Sequence, residues 1–124
     1  MAKPGKTGIA RILKATQYSW QGLRAAWKHE ASFRQELILV IVGVPLAFWF
    51  AENKFELLWL ILPLFILVIA ELVNSALEAV VDRIGHEYHE LSGRAKDIGS
   101  AIVLVSILLL VTIWSIVLYY HVAF

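Results

Sequence analysis

Three long uncharged runs, Leu37 to Ala51, Leu57 to Ala70 and Ile98 to Phe124, are separated along the chain by short clusters of charge. A membrane-spanning helix needs roughly 20 apolar residues, so the first two runs must each extend past a charged position, the first back through Phe33 and the second on to Val81. The pattern predicts an all-α membrane protein with spans over about 33–52, 57–81 and 98–120. That extension carries carboxylates into the apolar zone. Pro45 and Pro63 fall inside the first two spans and predict local kinks, which neighbouring helices can tolerate by satisfying the freed carbonyls.

Ahead of the spans the period changes. Ile9, Ile12, Leu13, Thr16, Trp20, Leu23 and Trp27 fall on one stripe at about 100° per residue, with Arg11, Lys14, Gln17, Tyr18, Gln21 and Lys28 on the other side. This predicts an N-terminal amphipathic surface helix over about 8–30, its tryptophans and basic stems at a headgroup boundary. A soluble helix packed on another protein carries the same pattern. The stripe loses register near His29 to Ser32, which predicts a bend into the first span.

Composition agrees with a bilayer setting. Of 124 residues, 60% are hydrophobic and 17% charged, with a mean hydropathy of +0.72, which excludes an ordinary water-soluble enzyme. One integral-membrane domain over residues 1–124 accounts for the length. The net charge of +1 hides an asymmetry, because seven Lys and Arg but two acids fall within the first 36 residues. The arm and the Asp82 to Asp97 connection hold most of the basic residues, so they are expected in the cytoplasm, and the N-terminus with them. There is no cysteine, hence no disulfide or thiolate chemistry. The first long apolar run starts too late for a cleavable signal peptide, and no repeat or long linker marks a second domain.

The second span carries candidate chemistry. With Glu71 at 0°, Asn74 lies at about −60°, Ser75 at about +40°, Glu78 at about −20° and Asp82 at about +20°, while Val73, Leu77 and Val80 take the opposite side. Each acidic group near a helix centre costs about 2.5–3.5 kcal/mol, so the stripe requires partners or a purpose. Structural ion pairing is one answer, although no Lys or Arg lies on the stripe. Counted from Leu57, Glu71 is about 21 Å along the helix and Glu78 about 32 Å, near the inner boundary, where a membrane-embedded and a soluble substrate can meet. Glu30 is expected at a similar depth, and Glu30 with Glu78 suits Mg²⁺.

The connection from Asp82 to Ser100 is rich in ligand-binding groups. His86-Glu87-Tyr88-His89 lacks the spacing of a zinc protease helix. No glycine-rich phosphate loop is present, which leaves Arg94 and Lys96 as the nearest phosphate-binding cations.

Four segments then carry a resemblance: Tyr18 to Trp27 (Tyr-Ser-Trp-Gln-Gly-Leu-Arg-Ala-Ala-Trp), Glu30 to Glu36 (Glu-Ala-Ser-Phe-Arg-Gln-Glu), the Glu71 to Arg83 run containing Glu-Leu-Val-Asn-Ser-Ala-Leu-Glu, and Glu87 to Asp97, which ends in Gly-Arg-Ala-Lys-Asp. In order and over nearly the whole chain, they resemble the prokaryotic diacylglycerol kinase family. The resemblance implies a small bacterial inner-membrane kinase that moves the γ-phosphate of ATP to diacylglycerol. It implies a homotrimer with active sites shared between subunits, three membrane helices and one surface helix per subunit, and no nucleic-acid partner. By the same resemblance Glu71 is the general base and Asn74 positions the reacting groups, while Glu30 and Glu78 hold the Mg²⁺ that accompanies ATP. Arg11, Tyr18, Glu87, Tyr88, His89, Lys96 and Asp97 are implied nucleotide contacts. Arg24, Ala25, Ala26, Trp27, Ser32, Phe33, Arg34, Gln35, Glu36, Trp49 and Ser100, with Glu71, are implied lipid contacts. No role attaches to His86. Two alternatives remain beside this reading: an undecaprenol kinase of the same fold, and a small proton-coupled exporter using Glu71 as its carrier.

Overall fold

Four helices account for nearly all of the computed structural model, which describes residues 7–124: α1 (Gly8–His29), α2 (Ala31–Phe50), α3 (Lys54–Ile84) and α4 (Glu90–Ala123). Lys3 and Lys6 of the basic arm lie outside the described residues. The break between α1 and α2 falls at Glu30, whose extended backbone (φ −118°, ψ 106°) ends one helix and starts the next. It lies within the stretch where the amphipathic register is lost. Arg34 holds the elbow, its Nη1 donating to the carbonyl oxygens of Trp27 at 2.7 Å and Lys28 at 3.3 Å, two acceptors that the end of a helix leaves open.

Helix α3 begins earlier than the apolar run. Asn53 Oδ1 accepts from the backbone N–H groups of Phe55 and Glu56, both at 3.0 Å, and this cap starts the helix at Lys54. His89 caps α4 in the same way, its Nδ1 accepting from Leu91 N at 3.1 Å, so α4 starts eight residues before Ile98. With 31 residues α3 is about 46 Å long and with 34 residues α4 is about 51 Å, both longer than a hydrocarbon slab of about 30 Å. Their ends therefore project beyond it. Helices α2, α3 and α4 are each long and apolar enough to cross a membrane, and α2 and α3 run unbroken through Pro45 and Pro63.

Helix α3 is the axis of the packing, with α2 and α4 along it and α1 against the start of α2. Leu64 and Leu67 of α3 meet Val40 of α2 and Leu110 of α4 in a buried core, with Val44, Val68, Val103 and Trp114 around it. Gly43 lets α2 come close, because a Cβ there would stand 2.9 Å from Leu64 Cδ1. Trp114 Nε1 donates to the Leu60 carbonyl at 3.0 Å and ties α4 to α3. Between helices in lipid such close packing and hydrogen bonding replace water exclusion as the cohesive terms. The stripe of α1 stays uncovered by the rest of the chain: Ile12 is 65% and Trp20 62% exposed.

Candidate active site

The polar stripe of α3 faces inward and its apolar side faces out. Glu71 is 3% exposed, Asn74 and Ser75 9%, whereas Val80 is 61% exposed. Along the stripe Ser75 Oγ donates to Glu71 Oε1 and Asn74 Nδ2 to Glu78 Oε1, both at a long 3.4 Å. Asn74 faces α4 at Gly99, where a Cβ would run into its Oδ1. A glycine is thus what allows the two helices to close around the amide.

Carboxylates converge here from three elements. The charges of Glu78 and of Glu30, at the elbow, act on Glu71, and the charge of Glu71 acts in turn on Glu36 of α2. Among the described residues the ion pairs are Glu90 with Arg94, Asp82 with Lys96, and His121 with Glu52 and Glu56. None of them includes Glu30, Glu36, Glu71 or Glu78, although the charge of Lys96 also reaches Glu78. Two acceptors in this region, Glu36 Oε2 and Asn74 Oδ1, are buried without a hydrogen-bond partner, a costly condition that a bound donor or cation relieves. A cleft of about 600 Å³ borders the cluster between α1 and α3, lined by Ser19, Gly22, Ala26, Glu30, Ser75 and Ala79 among others.

Beyond Asp82 the chain builds a second polar region. A cavity of about 190 Å³ brings together Asp82, His86, Glu87, Tyr88, His89 and Lys96. Four of the expected nucleotide residues thus share one wall. Lys96, however, is not free: its Nζ pairs with Asp82 Oδ1 at 2.7 Å. Asp97 lines a neighbouring groove with Tyr88, Glu90 and Arg94, Tyr88 standing on the rim of both. Arg11 and Tyr18 are on α1 and line neither cavity.

The expected lipid residues separate in the same manner. Arg24, Ala25, Trp27 and Phe33 line one apolar groove of about 750 Å³ with Trp20, Leu37 and Val68, between α1, α2 and α3. Ala26 turns away into the cleft beside Glu30, and the Arg34 guanidinium is taken up by the elbow carbonyls. Ser32 and Gln35 are exposed on α2, and Ser100 is exposed on α4 beside Gly99. Trp49 is 82% exposed near the far end of α2, about 24 Å of helix rise from Phe33.

Contacts set between helices escape a reading of the sequence alone. Gly99 sits opposite Asn74, and Glu52, Glu56 and His121 gather at the other end of the helices with donor atoms all within 4.8 Å of one another. The second was available in principle: Glu52 and Glu56 flank the link between the first two spans, and His121 ends the third, which finishes on that same face.

Comparison with known proteins bears on this arrangement. Residues 17–118 match the family model described as prokaryotic diacylglycerol kinase. The diacylglycerol kinase of Escherichia coli strain K12 is 54% identical over 115 residues, covering 93% of this chain and 94% of the relative. The diacylglycerol kinase of Haemophilus influenzae is 44% identical over 114 residues, 92% of this chain and 97% of the relative. That of Helicobacter pylori strain 26695 is 41% identical over 112 residues, 90% and 88% of the two chains.

Proposed function

The chain belongs to the prokaryotic diacylglycerol kinase family, and we propose that it transfers the γ-phosphoryl group of ATP to the hydroxyl of diacylglycerol with Glu71 as general base. The observation that carries this reading is a nearly fully buried carboxylate, Glu71, in a cluster with Glu30, Glu36 and Glu78, none of which forms an ion pair with a Lys or Arg among the described residues. Glu71 receives one long hydrogen bond, from Ser75, so it keeps a lone pair to accept the hydroxyl proton. The lipid oxygen bonds to the γ-phosphorus as the bond from that phosphorus to the β-phosphate bridge breaks, and ADP leaves. Asn74, held against Gly99 and bonded to Glu78, positions the reacting groups.

The donor set fits Mg²⁺, a hard cation that takes few carboxylates and completes its shell with water and phosphate. Glu30 and Glu78 would hold it, and when bound it neutralises charge on the transferred phosphoryl group. Glu87, Tyr88 and His89 would line the nucleotide, Asp97 its far side, and Lys96 the phosphates once it exchanges Asp82 for them. The groove of Arg24, Ala25, Trp27 and Phe33 suits the lipid, apolar along its length and basic at its rim, and α1 lies in the interface with its tryptophans in the headgroups.

The assembly is a homotrimer that shares its active sites. Two observations favour it: apolar residues on α4 such as Leu104, Val105 and Val111 are exposed in the single chain, and Arg11 and Tyr18 stand apart from the cavity of Tyr88 and Lys96, a gap that a neighbouring subunit closes. The N-terminus and the active site face the cytoplasm of a bacterial inner membrane. An assay in lipid micelles with Mg²⁺ and γ-labelled ATP, offering diacylglycerol and undecaprenol in separate tubes, tests the reaction. Label on diacylglycerol supports it, label on undecaprenol alone gives the sister activity, and label on neither overturns the kinase reading.

A further inference from the structure

On the premise that Glu87, Tyr88, His89 and Lys96 line the nucleotide, we propose that His86 is a positioning residue that takes over the Asp82 carboxylate when Lys96 leaves it for the phosphates. In the free chain Lys96 Nζ stands 2.7 Å from Asp82 Oδ1, so recruiting the ammonium to the phosphates deprives that carboxylate of its partner. Asp82 lies in the last turn of α3, at the negative pole of a 31-residue helix, with Glu78 one turn behind it. An unpaired carboxylate there opposes the release of Lys96.

His86 stands where a replacement is needed. Helix α3 ends at Ile84, and the backbone N–H of Gly85 donates to the Val81 carbonyl at 3.2 Å. His86 thus leaves the helix just after its last turn and lines the same cavity as Asp82 and Lys96. The turn is compact, with the Glu87 carboxylate so close to Gly85 that a Cβ there would meet both of its oxygens at 2.6 Å. The Lys96 hydrogen bond, and after it the charges of Lys96 and His86, hold the Asp82 carboxyl below its ordinary range, so two basic groups reach one carboxylate. Other bases nearby are engaged or face elsewhere: His89 Nδ1 caps α4, Arg94 pairs with Glu90, and Arg83 does not line the cavity. His86 enters no ion pair among the described residues.

An imidazole suits the exchange because its charge can change near neutral pH. While Lys96 holds Asp82, the ammonium repels a proton from His86. Once Lys96 is on the phosphates, Asp82 draws a proton from solvent onto the imidazole. Nucleotide binding and proton uptake therefore favour each other, and binding weakens as rising pH strips the proton. The groups that set this balance are Asp82 on α3, Glu87, Tyr88 and His89 on the link, and Lys96 on α4, with the charge of Glu78 reaching Lys96 as well.

The test is binding of a non-hydrolysable ATP analogue with Mg²⁺ to the full-length protein in micelles at about pH 6 and about pH 8.5, which needs no turnover. His86→Gln should weaken binding about twofold to fivefold at the lower pH, the range of an exposed ion pair, and change it little at the higher. His86→Lys, a permanent cation, should bind tightly at both. In an Asp82→Asn background His86→Gln should have no further effect. An equal loss in that background overturns the proposal in favour of a direct contact between His86 and the nucleotide. Binding by His86→Gln equal to the wild type at the lower pH, or a loss that His86→Lys shares, overturns it too, and leaves the kinase reading standing because nucleotide still binds. A wild type that does not bind the analogue overturns the nucleotide site and this role with it.

Discussion

Gly99 of α4 and Asn74 of α3 face each other so closely that a methyl group on the glycine would strike the amide oxygen of Asn74. Asn74 is also the residue that reaches Glu78 along the stripe, so the glycine fixes where the amide can stand. Gly99→Ala is expected to lower kcat by about tenfold to a hundredfold, the scale on which small misplacements of reacting groups act, with little change in the KM for ATP. Steady-state kinetics against both substrates check this. A loss confined to KM would place the glycine in binding instead.

The metal assignment predicts a separable defect. Glu30→Gln and Glu78→Gln each remove one charged oxygen donor while keeping the side-chain volume, and should raise the Mg²⁺ concentration needed for half-maximal rate by about tenfold or more. Titrations of Mg²⁺ at fixed ATP read the effect. Curves identical to the wild type in both variants would remove these residues from the metal site.

Lys96 is paired with Asp82 in the free chain, so nucleotide binding has to exchange one partner for another. Lys96→Met should raise the KM for ATP about tenfold or more, the loss of one charge-assisted contact, and leave the KM for the lipid in place. Asp82→Asn should lower the KM for ATP, because it frees the ammonium. Opposite signs in the two variants are the expected signature.

Trp114→Phe keeps the ring in the core but loses the hydrogen bond to the Leu60 carbonyl, and should destabilise the fold by about 0.5–1.5 kcal/mol. Thermal unfolding in micelles measures it, with kcat unchanged.

Much of this architecture is readable from the chain because it is periodic. The uncharged runs mark the spans, the loss of register near His29 marks the elbow, and the angular positions of Glu71, Asn74, Ser75 and Glu78 mark a face that turns out to be buried. What escapes is set between helices. No spacing says that Gly99 stands against Asn74, that Lys96 is taken by Asp82, that Arg34 serves the elbow carbonyls, or that His121 reaches back 65 residues to Glu56. The early starts of α3 and α4 belong to the same class, since the caps by Asn53 and His89 act on residues that hydropathy assigns to links.

The role of Glu71 as the base is measured most directly by γ-phosphate transfer from ATP to diacylglycerol by Glu71→Gln, paired with nucleotide binding to the same preparation. The variant keeps the volume of the buried side chain and removes its proton acceptor, so turnover should fall by about 100-fold or more while ATP still binds. Turnover close to that of the wild type would contradict the assignment.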